Sequence, residues 1–278
     1  MENAKRAVLV LGMHRSGTSA LTRVVNLMGF RAPRTLMPAN EGNADGYWES
    51  LVIVDLNERL LQACGGSWHS PGRLKAEPIE VARRSGLYDE MRRALSDEFG
   101  TAPHIVLKCP RISRLMGVYG PLLDEAGYRV SPLLAVRNPL EVAASLAKRD
   151  KFGLSRGLGI WLRYTLDSER ATRGRPRAVV TFDGLLADLK GTMSRAEHQL
   201  AEPWPLLGAE PTDEISAALK PGLRHHRQGE SRSRADRLSW RGFLARQAYG
   251  AMQRLAADPK DARAFRILDG IRLVYQSR

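Results

Sequence analysis

Residues 12–19, Gly-Met-His-Arg-Ser-Gly-Thr-Ser, stand between an uninterrupted apolar run, Ala7–Leu11, and a segment, Thr18–Met28, in which Leu21, Val24, Val25 and Met28 recur at helical spacing before Gly29. A continuous apolar run ended by glycine reads as a strand buried on both faces of a parallel sheet. The backbone N–H groups of the turn that follows, with a helix N-terminus behind them, make an anion site. An ordinary strand-to-helix turn carries glycines too, so the rest of the chain has to bear on this reading.

Three further runs repeat the pattern. His104–Lys108, Val130–Val136 and Ala178–Phe182 read as strands, and Ser50–Cys64, Ile79–Phe99 and roughly Leu158–Arg173 read as helices. Strand alternating with helix predicts an α/β fold of three layers, helices on both faces of a mainly parallel sheet. Between Phe30 and Trp48 the composition shifts to Pro, Asn, Gly and Asp, a long loop of the kind that is functional or disordered. Beyond Thr212 the pattern offers helices and no strand. One domain over 1–278 is the economical reading, with a core over 7–190 and a helical part over 191–278. Ligands of open α/β sheets sit at the carboxyl ends of the strands. Three of the four predicted strands run directly into arginines, at Arg15, Arg111 and Arg137.

Composition narrows the classes. Lys and Arg total 43 against 30 Asp and Glu, a formal charge of +13, and 35 of the 43 are Arg against 8 Lys. Guanidinium groups suit planar, bidentate recognition of phosphate-like groups, although a high-GC genome gives the same bias. With 43% hydrophobic and 26% charged residues, wholesale disorder is excluded. No apolar run approaches the roughly 18 residues of a membrane span, and the first residues do not read as a signal peptide. Cys64 and Cys109 alone make neither a disulfide scaffold nor a zinc site. His225-His226, without spaced partners, reads as part of the basic loop Arg224–Arg241 rather than a metal site. The expectation is a soluble cytoplasmic protein with no metal site and no transmembrane segment.

Two motifs carry chemistry. Against the nucleotide-binding pattern G-x-x-x-x-G-K-[ST], Thr18 stands where the lysine belongs, and the nearest cation is Arg15. Without that lysine the loop is poorly equipped to hold a γ-phosphate and its magnesium. It suits a shorter anion, one 5′-phosphate with something attached. The second motif is Arg137-Asn138-Pro139-Leu140-Glu141-Val142-Ala143-Ala144-Ser145. Asn138 as N-cap, Pro139 at N1 and Glu141 at N3 predict a capping-box-like helix start. Arg137 then sits just before the positive end of that helix, and Ser145 lies two turns on along the same side.

With these two motifs in this order, the chain resembles the sulfotransferases that use 3′-phosphoadenosine-5′-phosphosulfate (PAPS). GMHRSGTSALTRVVNLMG resembles their 5′-phosphosulfate loop and Arg137…Ser145 their second motif. GYWES (46–50), LKCPR (107–111), RNPLEVAASLAKRD (137–150) and ERATRGRPR (169–177) are similar to a bacterial branch of the family. The resemblance spans roughly 7–190 and implies a P-loop-type fold. It implies that His14, Arg15, Ser16, Gly17, Thr18 and Ser19 hold the phosphosulfate, that Arg137 and Ser145 hold the 3′-phosphate, and that 3′,5′-ADP is the product. Arg15 matches the family's loop cation, Lys108 offers a second positive charge near the sulfuryl group, and no metal is required. For the acceptor's proton the resemblance points to Glu49; Asp45, His69 and His14 also stand as bases, and a helix-start carboxylate beside Ser50 is the structural alternative for Glu49. Trp48 offers a ring to a sugar face, and the acceptor implied is a hydroxyl on a glycan, glycolipid or small carbohydrate-like molecule. Cys109 stands where related bacterial sequences carry Asp, which puts the positioning of Arg111 in question; a reactive thiol, its pKa lowered by Lys108 and Arg111, is the lesser reading, since no His/Asn partner arrangement is evident. Two other classes stay open. A P-loop small-molecule kinase would use Asp183, after the run Val179–Phe182, on the magnesium side. A nucleic-acid binder would use the +13 charge, though the basic residues are spread along the chain and no nucleic-acid motif is present.

Overall fold

The computed structural model describes residues 5–39, 46–201, 203–205 and 239–276. Four strands, β1 (Arg6–Leu11), β2 (His104–Lys108), β3 (Arg129–Val136) and β4 (Ala178–Thr181), form one parallel sheet in the order β2-β1-β3-β4. The connections carry helices: α1 (Thr18–Leu27), α2 (Leu51–Ala63), α3 (Pro78–Arg84), α4 (Leu87–Phe99), α5 (Ile112–Glu125), α6 (Pro139–Asp150) and α7 (Leu154–Ala171). After β4 come α8 (Phe182–Ala187) and α9 (Leu189–Leu200), then α10 (Trp240–Ala257) and α11 (Ala262–Gln276). The expected α/β class, parallel sheet and helical C-terminal part are all present.

The strands are mainly apolar, with polar residues mostly at their ends, because both faces are covered. Alternation divides the residues between two layers. Leu9 pairs in register with Leu107 and Pro132, and Leu11 with Leu134, which continues to Val179 on β4. Ala7, Leu9, Leu11, Ile105 and Leu107 pack under α2–α5, and Leu134, Val136 and Val179 pack under α6, α7, α10 and α11. Val8, Val10, Val106, Leu133, Ala135 and Val180 face the other way, onto α1, Phe30 and α9. Because β2 and β3 lie on opposite sides of β1, the chain reverses direction across the sheet there. The carboxyl ends of β1 and β3 flank the crevice this opens.

The boundaries differ from expectation in three places. The single helix expected over Ile79–Phe99 is two, because Gly86, at φ +76°, turns the chain between α3 and α4. Phe182 opens α8 instead of closing β4, since Thr181 Oγ1 accepts from Gly184 N at 3.1 Å and caps a helix there. α7 begins at Leu154, ahead of the expected Leu158. Most of the basic stretch 224–241, with His225 and His226, lies outside the described residues, as does Asp45.

The segment ERATRGRPR serves the architecture. Glu169, fully buried on α7, accepts from Arg173 Nε at 2.7 Å, Arg177 Nη2 at 2.9 Å and Arg272 Nη2 at 3.0 Å, and so ties α7 to the lead-in of β4 and to α11. Among the described residues no helix is long and apolar enough to cross a membrane.

Candidate functional site

The loop after β1 is held tightly against its neighbours. At Gly12, φ +138°, a Cβ would fall 2.4 Å from the Ala135 carbonyl oxygen on β3; at Gly17, φ +84°, it would fall 2.3 Å from the Phe182 ring. Only glycine fits either position. Gly12 N donates to Ser113 Oγ at 2.8 Å, and Ser16 N donates to Met13 O at 3.2 Å. Arg15 adopts φ +68°, a left-handed conformation that costs a side chain about 1–3 kcal/mol and clusters at ligand clamps. Two polar atoms of this loop, His14 Nε2 and Ser16 Oγ, are enclosed with no hydrogen-bond partner. A buried polar atom left unmatched costs about 1–3 kcal/mol, so both atoms ask for a ligand.

The second motif meets the first. Arg15 Nε donates to Ser145 Oγ at 2.8 Å, and Arg137 Nη1 to the Arg15 carbonyl at 3.4 Å. Asn138 caps α6, its side chain accepting from Leu140 N at 3.0 Å, with Pro139 at the first helical position as expected. Glu141 accepts from Arg137 Nε at 2.9 Å and so aims the guanidinium, which lies over the Phe182 ring with its carbon 4.3 Å from the centroid. Burial, then Arg149 and Arg137, pulls the Arg15 pKa down. The loop cation is crowded by like charge, which favours an anion between them.

Lys108 closes the third side. At the end of β2 it is buried with its Nζ on Glu49 Oε1 at 2.6 Å, Tyr47 O at 2.8 Å and Ser19 Oγ at 3.3 Å. The two described ends of the long loop are therefore anchored. Glu98 on α4 receives Thr35 N at 2.8 Å and Ser50 Oγ at 2.7 Å, Met37 N donates to Glu49 O at 2.7 Å, and Leu51 N donates to Thr35 O at 2.9 Å. Glu49 precedes the true N-cap of α2, Ser50, whose Oγ accepts from Ile53 N, so the helix-start role falls to Ser50 and Glu49 faces Lys108.

Several contributors escaped the sequence. Glu58 on α2 accepts from Arg111 Nε at 2.7 Å, supplying from another helix the carboxylate that Cys109 does not. Ser113 holds Gly12, and Arg149 lies over the Trp68 ring at 5.4 Å. Trp68 in turn meets His14 edge-on, centroids 4.8 Å apart. The loop carrying Trp68 is wrapped around Arg114, which donates to the carbonyls of Ser67, Ser70 and Gly72. No local pattern in the sequence marked any of these. His69 is engaged with Ser67 Oγ at 3.2 Å and Arg156 Nη2 at 2.8 Å. Cys109 is no reactive thiol: burial and then the Glu49 carboxylate push it up to about 11, overriding the pull of Arg111. Among the described residues no group of three or more His, Cys, Asp or Glu is arranged to hold a metal ion.

No protein-family model and no curated protein matches the chain. Among solved structures it is similar to the sulfotransferase domain from the Synechococcus PCC 7002 olefin synthase, at 13% identity and TM-score 0.46 over 88% of this chain and 96% of that one. It is also similar to the sulfotransferase domain from the curacin biosynthetic pathway, at 15% identity and TM-score 0.41 over 84% of this chain and 83% of that one. At these values the likeness assigns neither activity nor substrate to this chain.

Proposed function

We propose that the protein is a sulfotransferase that takes a sulfuryl group from PAPS to a hydroxyl acceptor. The observation that carries this reading is the joining of Arg15 and Arg137–Ser145 around a phosphate loop that lacks the nucleoside-triphosphatase lysine and keeps two enclosed, unmatched polar atoms. Two anion-binding ends fit a nucleotide with a short 5′-anion and a separate phosphate. His14, Arg15, Ser16, Gly17, Thr18 and Ser19 would hold the 5′ end, and Arg137 and Ser145 the 3′-phosphate. When bound, the donor supplies an activated sulfuryl group and a nucleotide leaving group.

The chain's own groups supply the electrostatics. Arg15 and Lys108 place positive charge where negative charge develops on the leaving oxygen. All three Lys108 N–H bonds are engaged, so it acts as a fixed charge held by Glu49. For the acceptor, the partly buried aromatic residues Tyr47 and Trp48 beside Glu49 support a carbohydrate-like hydroxyl compound.

The test is calorimetric titration with 3′,5′-ADP, 5′-AMP, ATP with magnesium, and a short DNA duplex. The expected result is tight binding of 3′,5′-ADP alone. Preference for magnesium-ATP would favour the kinase reading, in which Asp183, now accepting from Tyr249 at 3.3 Å, would turn to the metal. Salt-sensitive DNA binding would favour the third.

A further inference from the structure

We infer that the outer face of the α10–α11 hairpin is a docking surface for an anionic phospholipid bilayer, on which the chain lies without spanning it. The inference is independent of the sulfotransferase reading.

Two properties coincide on this face. The first is charge. Arg246, Arg254, Arg263 and Arg266 are exposed there, and the one carboxylate within the two helices, Asp269, is held by Arg173 at 2.9 Å and Arg272 at 2.6 Å. In the turn between the helices, Asp261 pairs with Arg254 at 2.6 Å and Asp258 accepts from Lys260 N at 2.9 Å. α3 and α4 differ: Arg83, Arg84, Arg92 and Arg93 are interspersed there with Glu80, Asp89, Glu90 and Asp97. Little acid offsets the arginines of the hairpin.

The second property is apolar surface. Of the seven large hydrophobic residues exposed among the described residues, four lie here: Trp240 and Phe243 at the start of α10, Leu273 and Val274 at the end of α11. The antiparallel helices bring these ends together, with the Trp240 and Tyr275 rings 6.0 Å apart. Phe243 is 53% exposed and Leu273 72%, on the side where a surface helix ordinarily carries polar residues.

Farther along the hairpin, Gly250 leaves open space, and a groove of about 330 Å³ runs between the helices, lined by Arg246, Arg254, Arg263 and Ile267. Seven residues of helix, about 10 Å, separate Gly250 from Phe243. A phospholipid has the same order, a phosphate that guanidinium groups bind bidentately and then an apolar part. Helices that lie in a bilayer interface combine arginine with Trp, Phe and Leu in this way. The concave part of the face is cationic and its apolar part is the most exposed. That arrangement suits insertion at headgroup depth, whereas a protein partner's apolar anchors bind in pockets.

The face also borders the candidate site. Arg241 donates to Ser155 Oγ at 3.2 Å at the start of α7, and the Tyr275 hydroxyl to Pro71 O at 3.2 Å on the loop that carries Trp68. A docked chain therefore holds that loop near the bilayer.

The test is co-sedimentation of the full chain with vesicles of phosphatidylcholine alone and of phosphatidylcholine mixed equally with phosphatidylglycerol. The mixed vesicles should bind it, and added salt should weaken the binding. Arg246→Gln, Arg263→Gln and Arg266→Gln together should weaken it about 10²-fold, roughly fivefold for each arginine near an anionic surface. Phe243→Ser with Leu273→Ser should weaken it by about tenfold or more. The control Arg84→Gln, Arg92→Gln and Arg93→Gln removes the same charge from α3 and α4 and should change binding less than about threefold. All of these side chains are exposed, so denaturation midpoints should match wild type. Equal losses in the two arginine triples would make net charge the cause and overturn the proposal. Equal binding to both kinds of vesicle, or to neither, would overturn it too. A dimer that dissociates in the Phe243→Ser, Leu273→Ser variant, without vesicle binding, would make the face an interface between copies of the chain. None of these outcomes depends on whether 3′,5′-ADP binds.

Discussion

Arg15 and Ser145 are 130 residues apart, yet Arg15 Nε donates to Ser145 Oγ at 2.8 Å. The contact makes one site of two segments that are each compatible with plain structure, a glycine turn and a capped helix. It exists because β1 and β3 are adjacent and their carboxyl ends open on the same crevice. Arg137 completes it, with Nε on Glu141 and Nη1 toward the Arg15 carbonyl.

Substituting Arg137→Ala should weaken 3′,5′-ADP by about 1.5–3 kcal/mol, the range for hydrogen bonds to charged groups. Affinity for 5′-AMP should hardly change, because that ligand lacks the 3′-phosphate. Calorimetry on both ligands gives the comparison, and equal losses would remove Arg137 from the 3′ end.

The pair Lys108–Glu49 should behave as a buried ion pair. Lys108→Met alone leaves Glu49 with only Arg111, 4.0 Å from its other oxygen, and should cost about 3–5 kcal/mol in chemical denaturation. Adding Glu49→Gln should recover part of that loss, because partners in one pair are not additive. Glu49→Gln alone should slow sulfuryl transfer through a displaced Lys108 while the pH profile keeps its shape. Loss of the profile's acidic limb in this variant would assign the proton to Glu49.

How far the sequence could be read follows from the range of each signal. All four strands were legible because a doubly covered parallel strand leaves a continuous apolar run, and Ala7–Leu11 and His104–Lys108 are such runs. The loop and the Arg137 motif were legible as local patterns with fixed spacing. Glu58 was not, since its partner Arg111 is 53 residues away and nothing local marks a helix carboxylate as a positioning group. The thiol pKa of Cys109 was out of reach for a related reason. Its sequence neighbours are cations, while the enclosure that sets its pKa comes from elements far along the chain.

Thiol chemistry checks that last point. With Cys109 pushed up to about 11 and Cys64 also raised by burial, neither is a thiolate near neutrality. A maleimide at pH 7 should label native protein far more slowly than protein in guanidinium. Rapid labelling of Cys109 in the folded state would show that its enclosure opens.

Sulfuryl transfer should survive a chelator, since Arg15 and Lys108 supply the charge that a metal would otherwise bring. A parallel assay of ATP turnover discriminates the competing chemistry. Activity abolished by EDTA and restored by magnesium, together with ATP hydrolysis sensitive to Asp183→Asn, would replace the sulfotransferase reading with the kinase one.

Glu169 should give the fold an acid-sensitive joint remote from the chemistry. Burial alone would raise its pKa, but hydrogen bonds from Arg173 and Arg177 outweigh burial and hold it below the ordinary carboxylate value. The native state therefore keeps Glu169 ionised at a pH where the unfolded chain, with a pKa of about 4.3, has begun to protonate it. Its contribution is complete above that unfolded value and is lost as the pH falls through the lower folded one. Glu169→Gln leaves Arg173, Arg177 and Arg272 without their shared anion, and breaking a buried ion pair in this way costs about 3–5 kcal/mol. The stability difference between wild type and Glu169→Gln, followed by chemical denaturation, should be flat at pH 6–8. It should shrink below about pH 4.5, where the unfolded wild-type chain takes up the proton first. A difference that stays constant into strong acid would mean that Glu169 acts by packing alone, and that its three arginines find other partners when it is gone.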